Sequence, residues 1–593
     1  MKYTATDLKE MSNVVRSDAL RAVLSANSGH VGIVLGAADI ITAIYANFLR
    51  RGRDKFVLSA GHGSAMLYAA LKLAGYRLPP LETFRKIGGL PGHPEYGLDG
   101  VDATTGPLGQ GVGAAVGMAL AEKIKKSDGR VYCLCSDGDL MEGVAQEAVA
   151  FAGRYKLNNL IMLWDDNGIS IDGAAQVDID VPARMRAAGW TVMSIDGDDA
   201  ATLNRVLRDA AKHARPTFIQ CKTQIGAASS VAGTPRAHGY GLGTAEMTRL
   251  IEGFDSVRGR ELWAAMALAA TDVMAPDAFT GPVDVAAPAA PEHISTRELS
   301  GMYLDALLTA GIPLVGGSAD LGGSTNAKVK ASIEITPDDF CGNYINYGVR
   351  EHAMGAIMNG LAACGLRPYG STFLVFSDYM RPAMRVAAIS GLPVIYVLTH
   401  DSVAVGEDGP THQPIEQLPS LRMMPNMNVF RPCNMAEIAY AYRTAIANGT
   451  RPTSIILSRQ KIRQIPSPVD ADMARGAYII RPARGRDVKI TLLATGAEVP
   501  LAVLVAEKLG PDVQVASVPC VAAFRGAPAE YKARILRGRV IAIEAAAAAP
   551  WFEFADAVVG IDRFGLSGDG DAVLSALGFD ADAIARDVLR AVK

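Results

Sequence analysis

Cysteine is scarce and poorly placed for cross-linking: seven occur in 593 residues, an odd number without a single CxxC pair. This excludes a disulfide framework or a zinc ribbon as the source of stability. Cys133 and Cys135 alternate within the apolar run Val131–Cys135, where they read as core filling. A reduced, cytoplasmic setting is the expectation. An excess of one charge sign is missing too. With 58 basic and 61 acidic residues, neither nucleic acid nor a membrane surface is an expected partner. Residues Met1–Glu10 mix both signs and lack the apolar segment of a signal peptide. No apolar run reads as reaching the roughly 20 residues that span a bilayer. What the chain does have is 49% apolar residues and 60 glycines, the composition of a closely packed α/β protein. Its length calls for about three domains.

The densest signal is Cys135–Gly173. The short apolar run Val131–Cys135 leads into Ser136-Asp137-Gly138, and Leu140–Tyr155 has helical spacing. A second apolar run, Leu160–Trp164, then ends at Asp165-Asp166-Asn167. This is a βαβ unit, whose parallel strands bring Asp137 and Asn167 to one sheet edge, where open α/β sheets bind ligands. A carboxylate, an amide oxygen and loop carbonyls suit a hard cation such as Mg²⁺ or Ca²⁺. Gly138 would let the backbone approach a phosphate.

Upstream, residues 4–50 read as helices broken at Asn27-Ser28-Gly29-His30, and Phe56–Leu58 is a strand running into Gly61-His62-Gly63. His93 lies in Pro91-Gly92-His93-Pro94. Three imidazoles in glycine- or proline-bracketed turns suit a polyhydroxylated ligand, because a neutral imidazole can donate or accept. The run Gly106-Pro107-Leu108-Gly109-Gln110-Gly111 lacks the preceding strand of a dinucleotide fingerprint. Trp190–Ile195 and Pro216–Lys222 read as strands around the helix Ala201–Ala214.

In the second half, Ile312–Gly316 reads as a strand and Glu351 opens a helix. Phe373, Phe376 and Tyr379 recur at the spacing of a helical stripe. Pro393–Thr399 is a strand, followed by His400 to His412, where two histidines and three carboxylates alternate with glycine and proline. Such a segment cannot be packed core. Strands near Lys489–Ala494, Val513–Val518, Val540–Glu544 and Ala557–Gly560 mark a third α/β unit without a reactive constellation.

These motifs together resemble the transketolases, thiamine-diphosphate enzymes, over nearly the whole chain. The resemblance implies three consecutive α/β domains, the first two with parallel sheets and the third a smaller mixed one. Their expected extents are a diphosphate-binding domain at 1–263, a linker at 264–292, a pyrimidine-binding domain at 293–467 and a C-terminal domain at 468–593. It implies thiamine diphosphate with Mg²⁺ (or Ca²⁺), the metal held by Asp137, Asn167 and Ile169. Cofactor contacts fall to His62, Gly106, Pro107, Leu108, Gly138, Asn167, Phe373, Phe376 and Tyr379, with Glu351 activating the aminopyrimidine. Substrate contacts fall to His30, His93, Arg297, Ser324, His400, Asp408, His412 and Arg459, of which His30, His400, Asp408 and His412 are also catalytic candidates.

The implied reaction moves a two-carbon ketol unit between sugar phosphates through a carbanion on the cofactor, as in the pentose phosphate pathway. The implied assembly is a homodimer with active sites at its interface. Two departures stand out. Ser136 replaces a family glycine, and Pro235, in Ala232-Gly233-Thr234-Pro235-Arg236-Ala237-His238-Gly239, occupies the position of a family active-site histidine. Arg236 could supply charge there, and His238 keeps a second family position. The alternatives are a related thiamine enzyme of the dihydroxyacetone synthase or deoxyxylulose-phosphate synthase type, or a weakly catalytic transketolase-like binding protein.

Overall fold

A computed structural model describes residues 2–175, 179–268, 281 and 283–592. The chain divides into two compact units. The first comprises Met1–Asp277, Thr336–Cys341 and Ala356–Gly365; the second comprises Ala278–Ile335, Gly342–Gly355 and Leu366–Lys593.

The first unit is built on a five-stranded, fully parallel sheet of β1 (Lys55–Leu58), β2 (Val131–Ser136), β3 (Leu160–Asp166), β4 (Thr191–Asp196) and β5 (Thr217–Lys222), in the order β1-β2-β3-β5-β4. β2 is buried along its whole length, as expected of a strand covered on both faces. Helix Ala5–Ala26 starts at a Thr4/Asp7 capping box and stops where Asn27 turns left-handed at φ 47°. That stop produces the break seen in sequence before His30.

The stretch that follows corrects one expectation. Val31–Phe48 is an 18-residue helical run long and apolar enough to cross a membrane by length and composition. It is instead a core element, 89% buried within the unit, with Asp39 at its centre hydrogen-bonded to Ser12 and Arg16 of helix Ala5–Ala26. A carboxylate so paired belongs to a packed protein core rather than to lipid.

The second unit holds two larger sheets and a two-stranded antiparallel pair, His293–Ile294 with Ile462–Arg463. Six parallel strands, β6 (Leu314–Ser318), β7 (Tyr344–Asn346), β8 (Arg367–Phe373), β9 (Ile395–Thr399), β10 (Asn428–Phe430) and β11 (Thr453–Leu457), run in the order β7-β6-β8-β9-β11-β10. The smaller sheet is mixed. Its strands are β12 (Tyr478–Arg481), β13 (Ile490–Ala494), β14 (Val513–Ser517), β15 (Arg539–Ile543) and β16 (Ala557–Val559), ordered β12-β14-β13-β15-β16 with only β12 antiparallel.

Local differences from the sequence reading are small and physical. The Phe373–Tyr379 segment is not one helical stripe. Phe373 ends β8, a single 3₁₀ turn covers Leu374–Phe376, and the helix begins at Ser377. Helix Val257–Leu268 continues into the first residues of the expected linker, while its residues 269–280 and 282 lie outside the described residues.

Candidate active site

In the first unit, the strand ends and turns enclose a cavity of about 360 Å³. His30, His62, His93, Gly106, Leu108, Asp137, Gly138, Asn167 and Ile169 all line it; Pro107 is exposed and does not. Asp137 is not in a loop, as the turn signal implied, but is the first residue of the short helix Asp137–Met141. Ser136 caps that helix by accepting from the Asp139 N–H, so the departure from glycine is structurally useful.

Close backbone approach explains the glycines. A Cβ on Gly61 would lie 2.6 Å from the Gly106 nitrogen, and one on Gly138 would lie 2.8 Å from Leu108 Cδ1. Gly106 itself has φ +129°, and its Cβ would press on the His93 ring at 3.2 Å.

The imidazoles form one cluster. Ring centroids of His30 lie 5.4 Å from His62 and 6.1 Å from His93. Burial holds His30 down to about 4, helped by Arg85, and His62 down to about 3, helped by His30. Burial also lowers His93. They are therefore neutral near pH 7, each offering a donor and an acceptor. An Arg85 N–H donates to His30 Nδ1 at 3.3 Å, which places the remaining imidazole proton on Nε2.

Opposite in character is the Asp137 end. Its carboxylate accepts from Trp164 Nε1 at 3.2 Å. Burial, then the charges of Asp165 and Asp166, push it up to about 7. Asn167 donates from Nδ2 to Asp165 at 3.1 Å, so its Oδ1, which takes the Ile169 N–H at 3.1 Å, keeps a free lone pair.

In the second unit, Glu351 is the first residue of helix Glu351–Ala363 and is buried. It accepts from Thr372 Oγ1 of β8 at 3.0 Å, and burial raises its pKa. One residue on, Phe373 stacks on His400 with centroids 3.6 Å apart, and Phe376 lies 5.7 Å from Phe373. His412 stands edge-on to Phe376 at 5.2 Å, and Tyr379, exposed, lies 6.1 Å from Phe376.

His400 adopts a left-handed backbone, φ 61°, a conformation unfavourable for histidine. It is buried, its Nδ1 pairs with Thr399 Oγ1 at 2.8 Å, and burial with Arg297 and Arg459 nearby lowers it to about 3. Arg297 donates to the Ser324 carbonyl at 2.6 Å, and its buried Nε finds no partner among the described residues. Arg459 donates to the Val405 carbonyl at 3.3 Å. Two guanidiniums near a buried neutral imidazole make an anion-seeking pocket. Asp408 is exposed on the same loop as His412.

Three consecutive family descriptions match the chain. They are the transketolase thiamine diphosphate binding domain over residues 8–260, the transketolase pyrimidine binding domain over 292–464, and the transketolase-like TK C-terminal domain over 476–580. The chain belongs to the transketolase family. It is 39% identical to the transketolase of Geobacillus stearothermophilus, with 98% of this chain and 99% of that one covered. The Rhodobacter capsulatus transketolase is also 39% identical, with 99% of both covered. The Leishmania mexicana transketolase structure superposes with a TM-score of 0.91 at 33% identity, covering 99% of this chain and 97% of that one. The Pichia stipitis transketolase solved in complex with sedoheptulose-7-phosphate gives 0.88 at 34% identity, covering 99% and 98%. As a transketolase-family chain, this protein is an enzyme of the transferase class.

The residues fit a diphosphate and a divalent cation. Among the described residues no group of three or more His, Cys, Asp and Glu side chains could hold a metal. The lining offers the carboxylates of Asp137 and Asp172, the Asn167 amide oxygen, the hydroxyls of Ser136 and Ser170 and backbone carbonyls, too few charged oxygens for a closed cage, so a cation there would need phosphate or water oxygens to complete its shell. No cationic side chain stands among the described lining residues to compensate Asp137.

The transketolase motif also contains residues that were not picked from sequence. Asp139, fully buried, accepts from Ser59 Oγ at 2.6 Å, the Gly109 N–H at 2.7 Å and the Ser136 N–H at 2.9 Å. It thereby ties the His62 turn, the Gly106–Gly111 turn and the end of β2 together. Its signal was the capping-box spacing from Ser136. Near Pro235, the charge-substitution idea is not supported. Arg236 is exposed and outside the cavity lining, whereas His238 lines it.

A buried ion network supports His400 from below. Asp401 accepts from Arg431 Nε at 3.0 Å, and Arg431 also pairs with Glu498. Glu544, beyond β15, is gripped by Arg422 through two bonds of 2.6 and 2.9 Å. Burial pushes Glu498 up to about 7; Glu544, equally buried, is held near 2 by Arg422 against that burial.

Proposed function

We propose that this protein transfers a two-carbon ketol unit from a ketose phosphate to an aldose phosphate, using thiamine diphosphate and a divalent cation. The observation carrying this reading is the 360 Å³ cavity whose wall combines the Asp137, Asn167 and Ile169 oxygens with neutral imidazoles. Solved relatives bearing sedoheptulose-7-phosphate and fructose-6-phosphate support the substrate class. When bound, thiamine diphosphate would supply a carbon nucleophile and an electron sink for breaking the ketose carbon–carbon bond.

The chain's own residues do the rest. Asp137 and Asn167 hold the cation through Oδ atoms, and Gly138 admits the diphosphate against the backbone. Glu351, whose carboxyl burial pushes upward, would share a proton with a ring nitrogen of the aminopyrimidine, while Phe376 would stack on that ring. His30, His62 and His93 bond sugar hydroxyls and can relay a proton at a ring nitrogen. Asp408 and His412 contact the hydroxyls near the reacting carbon. Arg297, Arg459 and His400 clamp the substrate phosphate, assisted by Ser324.

In this reading the chain works as a homodimer. Each site pairs the Asp137 half of one protomer with the Glu351 half of its partner. The test is a panel of ketose and aldose phosphates assayed with thiamine diphosphate and Mg²⁺. Two-carbon transfer lost on EDTA treatment is expected. Absence of transfer with every pair would refute the reading.

A further inference from the structure

The small mixed sheet of the second unit carries no reactive constellation, yet it holds the loop that does. Val403 and Ile415, which flank Asp408 and His412, are buried members of its core beside Leu492, Ile543 and Val573. The Ala547 N–H donates to the Ile415 carbonyl at 3.1 Å, fixing the far end of the loop to the segment after β15.

Between these anchors a single amide ties the loop down. Gln413 is buried, and its Nε2 donates to the Gly406 carbonyl at 3.0 Å and to the Leu566 carbonyl at 2.8 Å. Two carbonyl acceptors require the NH₂ end of the side chain and exclude the flipped amide. Its Oε1 finds no partner among the described residues and faces Gly565, where a Cβ would collide with it. The Gly406 carbonyl also takes the Gly409 N–H at 3.0 Å, and the Gly409 carbonyl takes the His412 N–H at 3.0 Å. Gln413 therefore grips the first of two consecutive turns that present Asp408 and His412.

Close backbone contacts complete the clamp. Gly406 has φ +80°, and a Cβ there would lie 2.9 Å from the Gly568 carbonyl oxygen. A Cβ on Gly409 would collide with Ser567 Oγ, and one on Gly570 would lie 2.6 Å from the Ala404 carbonyl oxygen. Segment 565–570 is thus fitted against the loop, while Glu407 and Asp408, between the two gripped glycines, stay exposed. A side chain that must meet a ligand needs its backbone held by a second layer of contacts of this kind.

We propose that Gln413 and segment 565–570 are positioning elements for sugar binding, through which the small mixed sheet fixes Asp408 and His412 in place. The proposal rests on the role given above to those two residues and adds a function for the sheet that carries no reactive group of its own. Gln413→Leu removes both donated bonds at similar volume, and Gly565→Ala presses on the same amide from the other side. Gly538→Ala is the control. Its Cβ would collide with the Lys489 carbonyl oxygen in the same sheet, at the opposite end of β15 from Ala547.

Two readouts on the protein loaded with thiamine diphosphate and Mg²⁺ need no turnover: hydrogen exchange of backbone amides 403–413, and calorimetric binding of an aldose phosphate, ribose 5-phosphate. Gln413→Leu and Gly565→Ala should each speed loop exchange and weaken ribose 5-phosphate binding by about tenfold or more, with the thiamine diphosphate Kd unchanged. The double variant should lose little more than either single change, because both act through one amide. Gly538→Ala should lower the melting temperature and leave loop exchange and sugar binding at wild-type values. Unchanged exchange in both variants would overturn the proposal, as would faster exchange with unchanged ribose 5-phosphate binding, or an equal loss of binding in Gly538→Ala. If wild type binds ribose 5-phosphate but transfers no ketol unit, and the two variants still weaken that binding, the transfer reading fails and this one stands.

Discussion

The imidazoles of the two units are held in opposite ways. His30, His62, His93 and His238 sit on turns placed by glycines, and their ring contacts are chiefly with one another and with cavity space. His400 is fixed by force. Its backbone is left-handed, its ring is stacked on Phe373, and the next residue, Asp401, is anchored by a buried arginine. Shape positions the first group and charge positions the second. Rings placed on small turns keep some latitude toward the cavity. A strained histidine with a charged anchor leaves no such latitude.

The comparison breaks most visibly at Arg431. Replacing it by Met removes the cation from buried Asp401 and Glu498 and from the neighbourhood of Glu544. Stability should fall by about 3–5 kcal/mol, measured by urea unfolding. Because Asp401 adjoins His400, the KM for sugar phosphate should rise in any Arg431→Lys variant that still folds.

On the other side, Gly61→Ala places a Cβ against the Gly106 backbone nitrogen, which no rotamer relieves. We expect a smaller stability loss, about 1–3 kcal/mol, and a larger fall in kcat/KM, read from thermal melts and initial rates.

Acid should distinguish the groups less. Unfolded histidines take up protons near pH 6.5, but folded His30 does so only near 4, and His62 and His400 near 3. Between those values the unfolded state binds more protons. The contribution of these residues is therefore complete above about 6.5 and is lost as pH falls toward 3. A His62→Gln variant should show a shallower loss of stability from pH 6.5 to 4 in denaturant titrations. The smallest effect belongs to Arg236→Ala, whose side chain is exposed outside the cavity. Stability should stay within about 0.5 kcal/mol and kcat/KM should be unchanged.

What the sequence made legible follows the same division. The βαβ unit around Asp137 and Asn167 and the glycine-bracketed histidines could be read because glycine punctuation and strand periodicity are local signals. Arg431 could not. Its partners lie 30 residues back at Asp401 and 67 residues ahead at Glu498, and nothing local marks an arginine for burial. His238 was read only as keeping a second family position beside Pro235, three positions earlier, and only tertiary packing shows which of the two lines the cavity. Val31–Phe48 was misjudged in length because Asp39 interrupts the apolar run, while its helix continues through it. The aromatic spacing at Phe373–Tyr379 matched a helix although a strand end and a 3₁₀ turn carry most of it.

The central claim is a thiamine-dependent ketol transfer in which Glu351 holds the activating proton. It is tested most directly by following a ¹³C-labelled two-carbon unit from a ketose phosphate into an aldose acceptor by NMR, with wild type and Glu351→Gln at equal cofactor saturation. The account predicts label transfer by wild type and its loss, by at least a hundredfold, in Glu351→Gln with an unchanged melting temperature. Equal transfer by both proteins would contradict it.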